Sequence, residues 1–354
     1  MKLSLRTFAL ATLPAMLAVP VWSTAASGAT LSCGQTITES TVLDNDLSGC
    51  ANNGIIIGAD NITLDLNGHT VAGTPASGDQ GGVVLVGRTG VTVTNGTVTS
   101  FDVGVVIEGG SGNTVRGVNA IGNISFSGTV NRGGDGIAIL SSSNNRIVKN
   151  NTVNNGPFSG VGIYSVIDAA HPRATAGVSS GNVVEANVVE RNIQGRTPNN
   201  VALNDNIGIR LEPGNTGNFI LNNRVNNNGL DGITLFQRNT FTTVRGNVVT
   251  GNGFFRTTAR RGNGIGLQIG GANDNVVENN QVARNADNGI VVRNGSMRNT
   301  IRNNTAVQNA LLPPASQTFG PTFDLLDNNL NCDANVWRDN RFVTAFPACA
   351  ADTP

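Results

Sequence analysis

The chain is poor in charge, with 23 basic and 23 acidic residues among 354, and poor in chemistry-bearing soft ligands, with two histidines, three methionines and four cysteines. Each shortage removes a class of function. A sparse, balanced charge leaves no basic footprint for nucleic acid. Soft-metal handling would call on more His, Met and free Cys than remain here. Long apolar runs are scarce as well: Thr7 to Trp22 is one, but Pro14 and Pro20 interrupt it, and no second run of spanning length follows. With the basic Lys2 and Arg6 ahead of it and Ser27-Gly28-Ala29 behind, residues 1–29 read as a secretory signal peptide cleaved after Ala29. Its removal leaves 21 basic against 23 acidic residues, a net charge of −2.

What the chain has in excess is asparagine, 50 residues beside 45 glycines. Both are weak helix formers, Gly through backbone entropy and Asn because its side chain competes for backbone hydrogen bonds, so a helical bundle is excluded. Hydrophobic residues still make up 39%, which argues against disorder. The asparagines recur. Asn145, Asn150 and Asn155 are spaced by five, and the same spacing returns at Asn182/Asn187/Asn192, Asn218/Asn223/Asn228, Thr242/Asn247/Asn252, Asn275/Asn280/Asn285 and Asn299/Asn304/Asn309. Between these sets lie short alternating segments such as Gly136-Ile-Ala-Ile139, Gly160-Val-Gly-Ile163, Asn206-Ile-Gly-Ile209, Gly232-Ile-Thr-Leu235 and Gly264-Ile-Gly-Leu267. Alternation makes each a short strand with one buried face. Three such strands per turn cannot bury that face alone and must stack on their neighbours, with equivalent Asn side chains in register. The expected fold is all-β, a single-stranded right-handed parallel β-helix of about ten coils. A leucine-rich repeat would need a regular Leu frame that the chain lacks.

A solenoid needs closed ends. The cysteines fall there, as Cys33/Cys50 and Cys332/Cys349, each pair enclosing 16 residues. Four cysteines allow three pairings; local closure in an exported chain favours these two disulfides, at about 3 kcal/mol each. The expected division is a signal peptide over 1–29, an N-terminal cap and first coil over 30–80, repeats over 81–310, and a last coil with cap over 311–354.

In such a coil the outward residues of the first strand form columns. Four places after each Gly-equivalent they run Glu108, Leu140, Tyr164, Arg210, Phe236, Gln268 and Arg293; one place before it they run Asp135, Ser159, Asp205, Asp231, Asn263 and Asn288. A column of small residues between them (Ala138, Gly162, Gly208, Thr234, Gly266) predicts a shallow groove suited to sugar rings. Three insertions, 124–134, 192–204 and 253–262, precede first strands and bring Arg132, Arg196, Arg256, Arg260 and Arg261. A fourth, 165–180, brings Asp168, His171 and Arg173. Loops on a regular scaffold commonly carry function.

The start Cys33-Gly-Gln-Thr-Ile-Thr, the segment Ile62-Thr-Leu-Asp-Leu-Asn-Gly-His-Thr-Val71, the repeats and the end Asp327-Asn-Asn-Leu-Asn-Cys-Asp-Ala-Asn-Val-Trp337 to Asn340-Arg-Phe342 resemble the secreted bacterial right-handed parallel β-helix repeat proteins of the pectate-lyase-like superfamily. That group holds pectate and alginate lyases, polygalacturonases, mannuronan epimerases and NosD-like periplasmic proteins. The resemblance implies an extracellular or periplasmic protein acting on or binding a polysaccharide, anionic in character, as a lyase, epimerase or glycoside hydrolase. A non-catalytic carbohydrate-binding or matrix rod is the alternative. The Asp-Pro-His motif of alginate epimerases is absent, echoed only by Asp168-Ala-Ala-His171, and so are the polygalacturonase Asn-Thr-Asp, Asp-Asp and Arg-Ile-Lys signatures.

The expected catalytic residues are Asp135, Asp205, Asp231, Tyr164 and His171, with Tyr164 or His171 as base. Asp135, Asp205 and Asp231 together form a candidate Ca²⁺ set. The expected substrate-binding residues are Glu108, Arg210, Phe236, Arg238, Gln268 and Arg293, joined by Arg132, Arg256 and Arg260 from the insertions. His69 is expected to be structural. The sequence does not speak to oligomeric state.

Overall fold

The computed structural model describes residues 27–74, 80–125, 134–166, 176–193, 206–254, 262–268, 270–311, 321–332 and 334–351. The chain winds into a right-handed parallel β-helix with three short strands in most coils. The first strands make one sheet of twelve, from Gln35–Ile37 to Ala345–Phe346; the second and third strands make a continuous sheet of twenty-one. Alternation does what the sequence requires. In Asp135–Leu140 and Ser159–Tyr164 the residues Ile137, Ile139, Val161 and Ile163 point inward and are fully buried, and Ile209, Leu211, Ile233, Leu235, Ile265 and Leu267 continue those columns. Among the described residues no helix is long and apolar enough to cross a membrane.

Asparagine holds the coils together through three ladders. Asn187 shows the rule. Its Oδ1 accepts from the backbone N–H (2.9 Å) and Nδ2 (3.0 Å) of Asn150 in the coil before; its Nδ2 donates to Ile147 O (2.8 Å) and to Asn223 Oδ1 (3.0 Å) in the coil after. All four hydrogen-bonding positions of the side chain are filled although the residue is buried. This ladder runs Asn150, Asn187, Asn223, Asn247, Asn280, Asn304, Asn340. A second runs from Asn123 through Asn155, Asn192, Asn228, Asn252 and Asn285 to Asn309. The repeating asparagines themselves do not take the left-handed turn. The residue ahead of each does: Lys149, Ala186, Asn222, Asn279 and Asn303 have φ of 54–56°. That bend turns the next N–H out of the sheet, and the neighbouring amide oxygen satisfies it.

Corner glycines open the first strands because a side chain would not fit. A Cβ on Gly136 would lie 2.7 Å from Gly160 O and 2.8 Å from Asn155 Nδ2. Both expected disulfides form, Cys33–Cys50 and Cys332–Cys349. At the start, Ser27–Ala29 pairs in parallel with Thr41–Leu43. His69 keeps its structural role, its Nδ1 3.0 Å from Asp46 Oδ1.

The remaining ladder is interrupted. It links Asn113, Asn145, Asn182 and Asn218, then meets Thr242, and resumes as Asn275, Asn299 and Asn335. Thr242 gives its backbone N–H to Asn275 Oδ1, but its buried hydroxyl finds no partner. Thr242→Asn therefore restores the missing rungs and should raise stability by about 1–2 kcal/mol, read as a higher urea midpoint with unchanged m-value.

Candidate functional site

The outward side of the first sheet gathers the polar side chains. Two acids stand on it, and each is held by the coil that follows. Asp135 accepts a short hydrogen bond from Ser159 Oγ on Oδ1 and one of 2.8 Å from Tyr164 OH on Oδ2. Ser159 and Tyr164 open and close one strand, and Tyr164 reaches Asp135 by laying its ring across Gly162, where a Cβ would collide with it. Asp231 repeats the arrangement. It accepts from Asn263 N (2.7 Å), Asn263 Nδ2 (2.9 Å), Thr234 Oγ1 (2.8 Å) and Gln268 Nε2 (3.1 Å), and Gln268 passes over Gly266 as Tyr164 passes over Gly162. Asn263 Oδ1 in turn accepts from Asn288 Nδ2 (2.9 Å), so Asp231 terminates a short outward ladder.

Between the two acids lies Arg210. Its guanidinium carbon is 5.2 Å from the Phe158 ring centroid and 4.8 Å from that of Phe236, and it forms a short ion pair with Glu212. Guanidinium stacking on aromatic faces stabilises a buried cation whose edge is already neutralised. Arg293 donates from Nη1 to Asn328 Oδ1 (3.1 Å). Burial lowers its pKa, while the charges of Asp231 and Asp287 oppose that shift.

Burial dominates the electrostatics of the acids. It pushes Asp135 up to about 7, against the hydrogen bonds of Ser159 and Tyr164 and the charge of Arg210. It pushes Asp231 up to about 6, against bonds from Asn263 and Thr234 and the charge of Arg293. Burial, reinforced by the negative charge of Asp135, raises Tyr164 well above its ordinary value. Tyr164 thus serves as a donor that orients Asp135.

Several expectations need correction. The register pairs Ser159 with Ile207 and Gly162 with Arg210, so Gly208, not Asn206, opens its strand. Arg210 consequently rises from the middle column, Glu212 takes the place beside Tyr164 and Phe236, and Ile207 stands next to Ser159 in the column expected to be acidic. A slip of two residues preserves which side chains face inward, so alternation alone could not detect it. A signal was available: Gly232 and Gly289 each stand ten residues before their position in the interrupted ladder, Thr242 or Asn299, and Gly208 stands ten before Asn218, where Asn206 stands twelve before it.

The Ca²⁺ set is not assembled. Asp135 and Asp231 are three strands apart in the sheet, about 14 Å at the usual strand spacing, and among the described residues no three His, Cys, Asp or Glu side chains group to hold a metal ion. Nor is the groove shallow and open. Val103, Val106, Ala138, Leu140 and Tyr164 form a second apolar cluster on the outward side, and Asp135, Ser159, Thr234 and Asp231 are buried.

Glu108 is buried in the same face, level with Leu140. Arg238 is exposed at a turn beyond the strand. Arg132, His171, Asp205, Arg256 and Arg260 lie outside the described residues, as do Asp168, Arg173, Arg196 and Arg261. Sequence reasoning missed Phe158, Glu212 and the acid-holding roles of Ser159 and Asn263.

Two measurements test these electrostatics. An acid whose pKa is raised on folding stabilises the native state below its unfolded value near 4, and loses that contribution as pH rises through the folded value. Unfolding free energy should therefore fall between pH 4 and pH 7, and Asp135→Asn should flatten much of that slope, as urea titrations would show. Tyr164 is the single tyrosine of the chain, so phenolate absorbance reports it alone; it should ionise only well above pH 10, together with unfolding.

The right-handed β-helix region family matches residues 81–265 and 254–344. Among solved structures, Dettilon tailspike protein is similar at a TM-score of 0.58 and 17% identity, over 85% of this chain and 54% of that one. A periplasmic alginate epimerase is similar at 0.52 and 15%, over 83% of this chain and 61% of that one. The chain thus spans a little over half the length of these two proteins. A comparison with curated protein sequences finds no match. With three-quarters of its length matched and the coil architecture of the fold, the chain belongs to the right-handed β-helix family.

Proposed function

We propose that the chain is an exported carbohydrate-active protein whose working face is the outward side of the first sheet, with Asp135 transferring the proton. The observation that carries this reading is a buried carboxyl brought to about pH 7 and gripped on both oxygens by Ser159 and Tyr164, next to a guanidinium stacked between two phenylalanines. Such an acid is half protonated at neutral pH and can give or take a proton, as general acid–base catalysis needs. Phe158 and Phe236 offer apolar edges for sugar rings.

Proton transfer beside a sugar carboxylate, as in elimination or epimerisation, fits this arrangement better than glycoside hydrolysis. Hydrolysis uses two carboxyls about 5–9.5 Å apart, and Asp135 and Asp231 are separated by about 14 Å. The alginate epimerase of similar fold supports a polysaccharide as partner, and an anionic one rests on Arg293 and on the arginines of the insertions. Two disulfides support export to an oxidising compartment. The burial of the outward face favours a second reading, a rod that binds glycan through its insertions without catalysis.

Incubation with alginate, pectate and glycosaminoglycans, followed by the ultraviolet absorbance of unsaturated products and by NMR for epimers, separates the two. Asp135→Asn should lower the rate by about 10²–10⁴-fold, with Arg238→Ala near wild type. An equal rate in Asp135→Asn would reject the assignment of the proton carrier. Absence of product, with retardation in a glycan gel, would establish the binding rod instead.

A further inference from the structure

Arg210 and Glu212 lie two residues apart, so both side chains leave the strand on its outward side. Arg210 turns both Nε and Nη2 to a single oxygen, Oε1 of Glu212. The faces of the guanidinium are covered by Phe158 and Phe236, so its edge is where a carboxylate can approach, and Glu212 occupies that edge. The two residues differ in exposure: Arg210 lies against two rings and its side chain is 9% exposed, whereas that of Glu212 is 16% exposed. A ligand carboxylate could replace that of Glu212 with the same geometry, charge for charge, and Glu212 could swing outward to let it in.

We propose that Glu212 guards the charge recognition of this face: it holds a ligand-carboxylate position on Arg210, so a uronate unit reaches that cation only by displacing Glu212. The proposal rests on the reading of this face as a glycan-binding surface. It assigns Arg210 a guarded role, in contrast to a cation freely offered to an anionic chain. Removing the glutamate charge should strengthen uronate binding at this face.

The test uses affinity gels of pectate and of the same polymer methyl-esterified, which differ in charge alone. Glu212→Gln, which keeps a hydrogen-bond acceptor, should tighten binding to pectate by about tenfold and leave binding to the ester unchanged. Adding Arg210→Gln should cancel the gain. Because Glu212→Gln removes a counter-charge from beside a buried guanidinium and can cost folding, Glu212→Asp provides a second variant: its shorter reach should give an intermediate shift in the same direction. An unchanged pectate-to-ester ratio in the folded variants, or a gain that survives loss of Arg210, would overturn the role of Glu212 while leaving glycan binding in place. Failure of every form to bind either gel would remove the glycan-binding reading and this proposal with it.

Discussion

The structure depends on one interaction, the amide-to-amide hydrogen bond between asparagines of successive coils. A coil of short strands leaves backbone groups unsatisfied at its bends, and side chains of the same coil reach only some of them. An asparagine one coil away reaches others, because it offers two donors and a double acceptor on a short stem. Asn187 illustrates the economy: one side chain satisfies a backbone N–H and a carbonyl and links two further asparagines. The ladder forces equivalent residues into register, and the outward columns of the first sheet inherit that register.

A ladder of amides has a direction and therefore needs an end that only accepts. The chain supplies carboxylates. Asp324 closes one ladder by accepting from Asn309 N and Nδ2 on one oxygen and from Val343 N and Thr344 N on the other. Asp327 accepts from Asn335 Nδ2 and from Trp337 Nε1 near the end of another. Asp231 does the same on the outward face, where it receives the ladder of Asn263 and Asn288. Asp135 departs from this rule. Its side-chain partners are two hydroxyls, Ser159 and Tyr164, in place of an amide ladder, and burial raises its pKa as it raises that of Asp231.

Much of the fold was legible because spacing and alternation are local. Three asparagines five apart, followed by Gly and alternating aliphatics, led to the coils, the ladders and the two end disulfides. The candidate site was legible in part. Asp135, Tyr164, Asp231, Gln268 and Arg210 do share one face, yet their relations did not follow from the pattern. The segment around Ile207 could be aligned two ways with the same inward residues, and the wrong one placed Asp205 in the acidic column and hid Glu212. Phe158 escaped because it stands just outside the alternating segment, and only the stacking of coils brings it to Arg210.

The sequence by itself determined the period of the solenoid, the identity of the ladder residues and the inward columns, since each follows from the requirements of a buried strand face and a satisfied backbone. The tertiary structure alone decided which outward residues meet. A hydrogen bond from Tyr164 across Gly162 to the preceding coil, a guanidinium held between rings from coils on either side, and a separation of three strands between Asp135 and Asp231 all depend on coil-to-coil register. That register is set by corner glycines and amide ladders, while the pKa of each acid is set by how completely its neighbours exclude water. Neither quantity is a property of any single stretch of the chain.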